Sequence, residues 1–141
     1  MPLWRRGGNF TLVLRFTDKL NSAGNVSVTG VGSVSGTPTI KGNTMTVNLT
    51  GVANAQKIVV TLTNVTDKYG RTLAKATVPM GILLGDVDGN KTVNNTDVNN
   101  VTAKVGANTS STNFRDDVDT SGSINQTDVN ITQGQVGTSI P

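Results

Sequence analysis

The chain has 141 residues, no cysteine and no histidine, with 12 basic against 9 acidic side chains and an aromatic content of 4%. The missing thiols and imidazoles exclude disulfides, thiolate chemistry and the side chain most often used as a general base near neutral pH. Residues 1–84 carry nine Lys or Arg and two Asp, whereas residues 85–141 carry three and seven, so a basic total conceals an acidic segment.

The length allows one ordinary domain or two small ones. The opening MPLWRRGGNF has too short an apolar stretch for a secretory signal, and no segment approaches the roughly 18 apolar residues of a membrane span. No membrane insertion is expected, and the amino terminus reads as truncated. Trp4 is expected to pack near that terminus. Residues 9–17 (NFTLVLRFT) alternate, with Phe10, Leu12, Leu14 and Phe16 on one face, the mark of a half-buried strand. The pattern returns at 44–50, with Met45, Val47 and Leu49 inward, and at 57–63, with Ile58, Val60 and Leu62 inward. Further strands are expected near 25–31, 36–40 and 72–78.

Turn residues separate these runs at Asn21–Asn25, Gly30–Gly36, Lys41–Asn43 and Asp67–Gly70. Short alternating strands at this spacing predict an immunoglobulin-like antiparallel β-sandwich over residues 1–84. Its cations are scattered singly among few aromatics, so no nucleic-acid partner is expected. Residues 78–84 (VPMGILL) run into the acidic segment without a polar spacer. Closely abutted modules are predicted, with Ile82, Leu83 and Leu84 buried at the junction.

Residues 85–141 contain two twelve-residue segments, Asp86–Asp97 (DVDGNKTVNNTD) and Asp117–Asp128 (DVDTSGSINQTD), offset by 31 residues. Both place oxygen-bearing side chains at positions 1, 3, 5, 9 and 12. A hard divalent cation takes six to eight oxygens at about 2.3–2.6 Å, and a turning loop can supply them from positions 1, 3, 5, the position 7 carbonyl and a carboxylate at 12. The candidate ligands are Asp86, Asp88, Asn90, the Thr92 carbonyl and Asp97 in the first copy. In the second they are Asp117, Asp119, Ser121, the Ser123 carbonyl and Asp128. Two Ca2+ ions are expected, each leaving about one net negative charge on three carboxylates. Position 8, Val93 or Ile124, is expected to pair across the two loops. The repeat continues outside them: Val98, Asn99, Val105 and Gly106 recur as Val129, Asn130, Val136 and Gly137.

On these residues, the segment from Gly85 to Gly137 resembles a type I dockerin, a duplicated loop-helix calcium module with Asp at position 12. The resemblance implies two bound calcium ions, a short helix after each loop, and docking onto a cohesin-like protein module in an extracellular or cell-surface assembly that degrades polysaccharide. The chain is expected to be a monomer when unbound. Matching the family's contact positions gives Asn95 and Thr96 in the first copy, Gln126 and Thr127 in the second, and Lys104 as a basic contact. Position 6 is Gly122 in the second loop but Lys91 in the first, which predicts strain and a weaker first site. Phe114 is expected to anchor the two loop-helix units to one another, and residues 138–141 to return along the surface.

Outside the loops the carboxylates reduce to Asp18, Asp67 and Asp116, so a catalytic acid and base would have to be Asp18 and Asp67. The chain therefore reads as a non-enzyme: an adaptor whose sandwich is a rigid spacer. The alternatives are a calcium-stabilised cap without a partner in trans and a carbohydrate-binding sandwich. The last would need exposed aromatic platforms, for which only Trp4 and Tyr69 are available.

Overall fold

A computed structural model describes residues 8–141 in full and the backbone of Pro2 and Leu3. Trp4, Arg5 and Arg6 lie outside the described residues. The protein is mostly β-sheet with two short helices, in two compact units. Of the described residues, 8–53 and 58–79 form one unit and 54–57 with 80–141 form the other.

The first unit holds most of two sheets. Strands β2 (Phe10–Arg15), β5 (Ser33–Lys41) and β6 (Thr44–Thr50) form an antiparallel sheet in the order β2-β6-β5. Phe10 lies opposite Leu49 and Leu12 opposite Val47, so the alternating apolar sets of the two strands share a face. Lys41 pairs with Thr44 across a two-residue turn in which Gly42 has φ +61°, the positive φ that primed hairpin turns require. β5 slips register between Ser35 and Thr39, beginning earlier than its sequence pattern suggested.

The second sheet is built on β7 (Gln56–Asp67), flanked by β8 (Thr72–Ile82) on one side and by β3 (Leu20–Ser22) and β4 (Asn25–Thr29) on the other. β1 (Pro2–Leu3) runs parallel to the end of β8. Between β3 and β4 the chain kinks at Gly24, where φ is +60° and a Cβ would lie 2.0 Å from the Thr63 carbonyl oxygen. Only glycine fits there.

β3 and β4 of the second sheet lie close to β5 of the first. Phe10, Leu12, Met45, Val47 and Leu49 from one sheet, and Ile58, Val60, Leu62 and Val65 from the other, are buried. The inward residues expected in β6 and β7 are the observed ones. Leu14 and Phe16 are only half-buried, because β2 ends at Arg15 near the rim. β8 continues past residue 78 because Met80 and Ile82 extend the alternation and are buried.

The second unit contains α1 (Asn95–Thr102) and α2 (Gln126–Gly134). Its core is Val87, Val101, Val118, Ile124 and Val129, with Leu84, Val98, Ala107 and Ile131 packed against it. A smaller cluster joins Leu83, Val93 and Ile140. Phe114 is in neither: it is 55% exposed, which corrects its expected role as the anchor between repeats. Aliphatic residues from both repeats, Val87 and Val101 with Val118, Ile124 and Val129, already form the shared core. Asn54 also belongs to this unit; its side chain accepts from Leu84 N (2.7 Å) and donates to Gln135 Oε1 (3.0 Å).

Candidate metal centres

Each acidic loop ends as its helix begins, and one carboxylate serves both. Position 9 is the N-cap: Asn94 and Asn125 share the extended conformation (φ −143°, ψ −172°), and their side chains accept from Thr96 N and Thr127 N at 2.7 Å. Position 12 completes a capping box, with Asp97 Oδ2 accepting from Asn94 N (2.9 Å) and Asp128 Oδ2 from Asn125 N (2.8 Å). The other oxygen of each reaches back to the start of its loop. Asp97 Oδ1 accepts from Val87 N (3.0 Å) and Asp128 Oδ1 from Val118 N (2.8 Å). Both aspartates are fully buried.

Position 1 organises the rest of the loop. Asp86 Oδ1 accepts from Gly89 N (2.8 Å) and Asn90 N (3.1 Å), and its Oδ2 from Lys91 N (2.9 Å). Asp117 Oδ1 accepts from Ser121 N (3.0 Å), and its Oδ2 from Gly122 N (2.9 Å) and Thr109 Oγ1 (2.7 Å). These donors hold each loop curled with its carboxylates converging. Asp86, Asp88 and Asp97 each offer an oxygen within 4.8 Å of the others, as do Asp117, Asp119 and Asp128. Two oxygens on one ion at about 2.4 Å can be no farther apart than about 4.8 Å, so both clusters are close enough to hold a metal ion. Position 5 lies beside them: Asn90 donates to Asp88 Oδ2 (3.0 Å), and Ser121 Oγ to the Ser123 carbonyl (3.1 Å).

Backbone strain is not confined to the first loop. Lys91 does have positive φ (+73°), as expected, but position 4 is left-handed too, where Gly89 has φ +79° and Thr120 +58°. Each loop therefore has one glycine and one strained residue, at swapped positions. A β-branched threonine is the worse occupant, so the expected handicap of the first site is matched in the second. Replacing Thr120 by Gly should stabilise the protein by about 1 kcal/mol, at least as much as Lys91→Gly. Denaturant unfolding of both variants checks this, and a gain in Lys91→Gly alone would restore the original asymmetry.

The two position 8 residues do not pair with one another. Val93 N donates to Thr138 O (2.9 Å) and Gly137 N to Val93 O (2.9 Å), while Ile124 N donates to Ala107 O and Gly106 N to Ile124 O (both 2.8 Å). Each loop thus pairs with the segment leaving the opposite helix. Residues 138–141 do return, with Ile140 buried beside Leu83 and Val93.

Burial opposes ionisation of Asp117, but hydrogen bonds from Thr109 Oγ1, Gly122 N and Ser121 N outweigh it and hold the carboxyl below its ordinary value of 3.8. A depressed folded-state value adds stability above the unfolded value and loses it as pH falls through the folded one. Metal-free protein should therefore lose stability as pH falls from above the ordinary value of 3.8 down through the depressed folded one. Denaturant melts across that range check this, and a smaller loss is expected in Asp117→Asn.

Asn95, Thr96, Gln126 and Thr127 are exposed in the first turns of α1 and α2. Lys104 has an internal partner, donating to Asp116 Oδ2 at 2.8 Å; the Asp116 side chain is 5% exposed. Arg115 is packed over Gly89, where a Cβ would lie 3.0 Å from its Nη1. Sequence reasoning missed the capping role of position 9, the Thr109 donor and the pairing of loops with opposite exit segments. The repeat of Val105-Gly106 as Val136-Gly137 was the available signal for the last. Among the described residues no helix is long and apolar enough to cross a membrane.

Asp18 and Asp67, the other carboxylate pair, meet on one guanidinium: Arg71 Nη2 lies 2.7 Å from Asp18 Oδ2, and its Nε 2.6 Å from Asp67 Oδ2. They border an open cleft of about 310 Å³ with Phe16, Leu20, Val65 and Leu73. Partial desolvation opposes ionisation of Asp67, but donors on Arg71 and Tyr69 N outweigh it and lower its pKa. Comparison with protein-family models, curated proteins and solved structures found no match to this chain.

Proposed function

We propose that the 85–141 segment is a calcium-binding, dockerin-like module that docks onto a cohesin-like partner, and that the chain is a non-catalytic adaptor with an immunoglobulin-like sandwich as rigid spacer. The carrying observation is the duplicated cluster of three aspartates, with oxygens within 4.8 Å in each copy. Calcium fits this donor set because every candidate ligand is a hard oxygen and the chain has neither cysteine nor histidine. The ligands would be Asp86, Asp88, Asn90, the Thr92 carbonyl and Asp97, and Asp117, Asp119, Ser121, the Ser123 carbonyl and Asp128. The ion would neutralise carboxylates that otherwise repel, fixing the start of each helix and with it the exposed Asn95-Thr96 and Gln126-Thr127 pairs. On this reading the protein works outside the cell or at its surface, on assemblies that degrade polysaccharide.

Two observations support a non-catalytic role. The Asp18 and Asp67 carboxylates share one guanidinium, and Asp67 is shifted away from the raised pKa that a general acid needs. Tyr69, a candidate sugar platform, has Lys68 Nζ 4.7 Å and Arg71 Cζ 5.0 Å from its ring centre, which argues against the carbohydrate-binding alternative. The internal pairing of Lys104 with Asp116 favours a second reading, a calcium-stabilised cap without a partner in trans.

Capture of a type I cohesin on immobilised protein, with calcium and with chelator, separates the two. Docking predicts calcium-dependent capture lost in a quadruple Asn95, Thr96, Gln126 and Thr127 alanine variant. Calcium-dependent stability with no capture supports the cap.

A further inference from the structure

The segments that close the two loops obey the same 31-residue offset as the loops themselves. Ile140 N donates to Lys91 O at 3.1 Å and Thr92 bridges Ser139; correspondingly Thr109 N donates to Gly122 O at 3.0 Å and Asn108 bridges Ser123. With the bonds to Val93 and Ile124, positions 6 to 8 of each loop are hydrogen-bonded to the segment that leaves the other repeat's helix. Position 7, the carbonyl donor, is the bridged residue in both. A backbone carbonyl can orient toward an ion only if its neighbours on either side are held, and here the opposite repeat holds them.

The two closures differ in one atom group. Thr109 Oγ1 also donates to Asp117 Oδ2 at 2.7 Å, whereas its counterpart Ile140 has no hydroxyl and is instead buried against Leu83 and Val93. From its closing segment the first loop therefore receives backbone bonds and an apolar contact, with no counterpart of the Thr109 hydroxyl.

Resting on the calcium reading above, we propose that Gly137–Ile140 is a positioning segment of the first metal site and Gly106–Thr109 of the second, so that changes in 137–140 act selectively on the first site. Loss of groups that orient metal ligands weakens binding by about 10- to 100-fold.

The test compares the full chain with a chain ending at Val136, each titrated with calcium and followed by the amide resonances of Lys91 and Gly122. These report the sites separately, since each donates at 2.9 Å to the position 1 carboxylate of its own loop. In the shortened chain the Kd read at Lys91 should rise about 10- to 100-fold while that at Gly122 stays within about threefold. Unchanged affinity at Lys91, or equal weakening at both amides in a folded chain, overturns the proposal. If the shortened chain loses its helical signal, Ile140→Pro in the full chain decides. It deletes the donor to Lys91 O and retains an apolar ring, so the same selective weakening is expected, and equal affinities at the two probes refute it. A full chain in which neither amide responds to calcium overturns the calcium reading itself, and this proposal with it.

Discussion

Replacing Asp97 by Ala should cost about 3–5 kcal/mol in metal-free protein and abolish binding at the first site, with Asp128→Ala doing the same at the second. The size follows from what one buried carboxylate does. Asp97 accepts from Asn94 N, closing the capping box of α1, and from Val87 N at the loop's beginning. Asp97 is fully buried, and removing it leaves these amides without their partner, at about 1–3 kcal/mol for each unmade bond. Asp97→Asn should cost less, because its volume and one acceptor remain, yet it should bind metal weakly for want of charge. Denaturant unfolding followed by the helical signal measures the difference. A cost below about 1 kcal/mol for Asp97→Ala would contradict the geometry described.

Chelation should have the second large effect. An ion present at 100 times its Kd stabilises the state that binds it by about 2.7 kcal/mol per site, so two sites supply about 5 kcal/mol. A unit of this size has a total stability of only roughly 3–10 kcal/mol. Helices as short as α1 and α2 are marginal by themselves in water. Removing calcium should therefore lower the melting temperature of the helical signal while leaving the strand signal of the first unit unmoved, so thermal scans should show one transition moving with calcium and one that does not. A helical transition that ignores chelator would mean that the apolar core around Val101 and Ile124 is sufficient without the ion.

What could be read in advance depended on side-chain periodicity. β6 and β7 announce themselves through Met45, Val47 and Leu49 and through Ile58, Val60 and Leu62, because a half-buried strand must alternate. The acidic clusters were legible because the same oxygen-bearing side chains recur at the same spacing in both segments. Features held by backbone bonds left little trace. Nothing about Val93 or Ile124 says that their amides and carbonyls serve the opposite repeat's exit segment. Even so, the turn there needs glycines at 106 and 137, both with φ +96°. Phe114 misled because an aromatic residue in a polar stretch invites a core role, although exposed apolar side chains are common on folded proteins. The strain at Thr120 was hidden because a threonine carries no mark of positive φ, and the glycine at the matching position, Gly89, stands in the other loop.

If each of the two aspartate clusters holds a calcium ion, isothermal titration of the metal-free chain with calcium should register two ions per chain, falling to one in Asp117→Ala. No binding heat, or a stoichiometry unchanged by that substitution, would contradict that assignment.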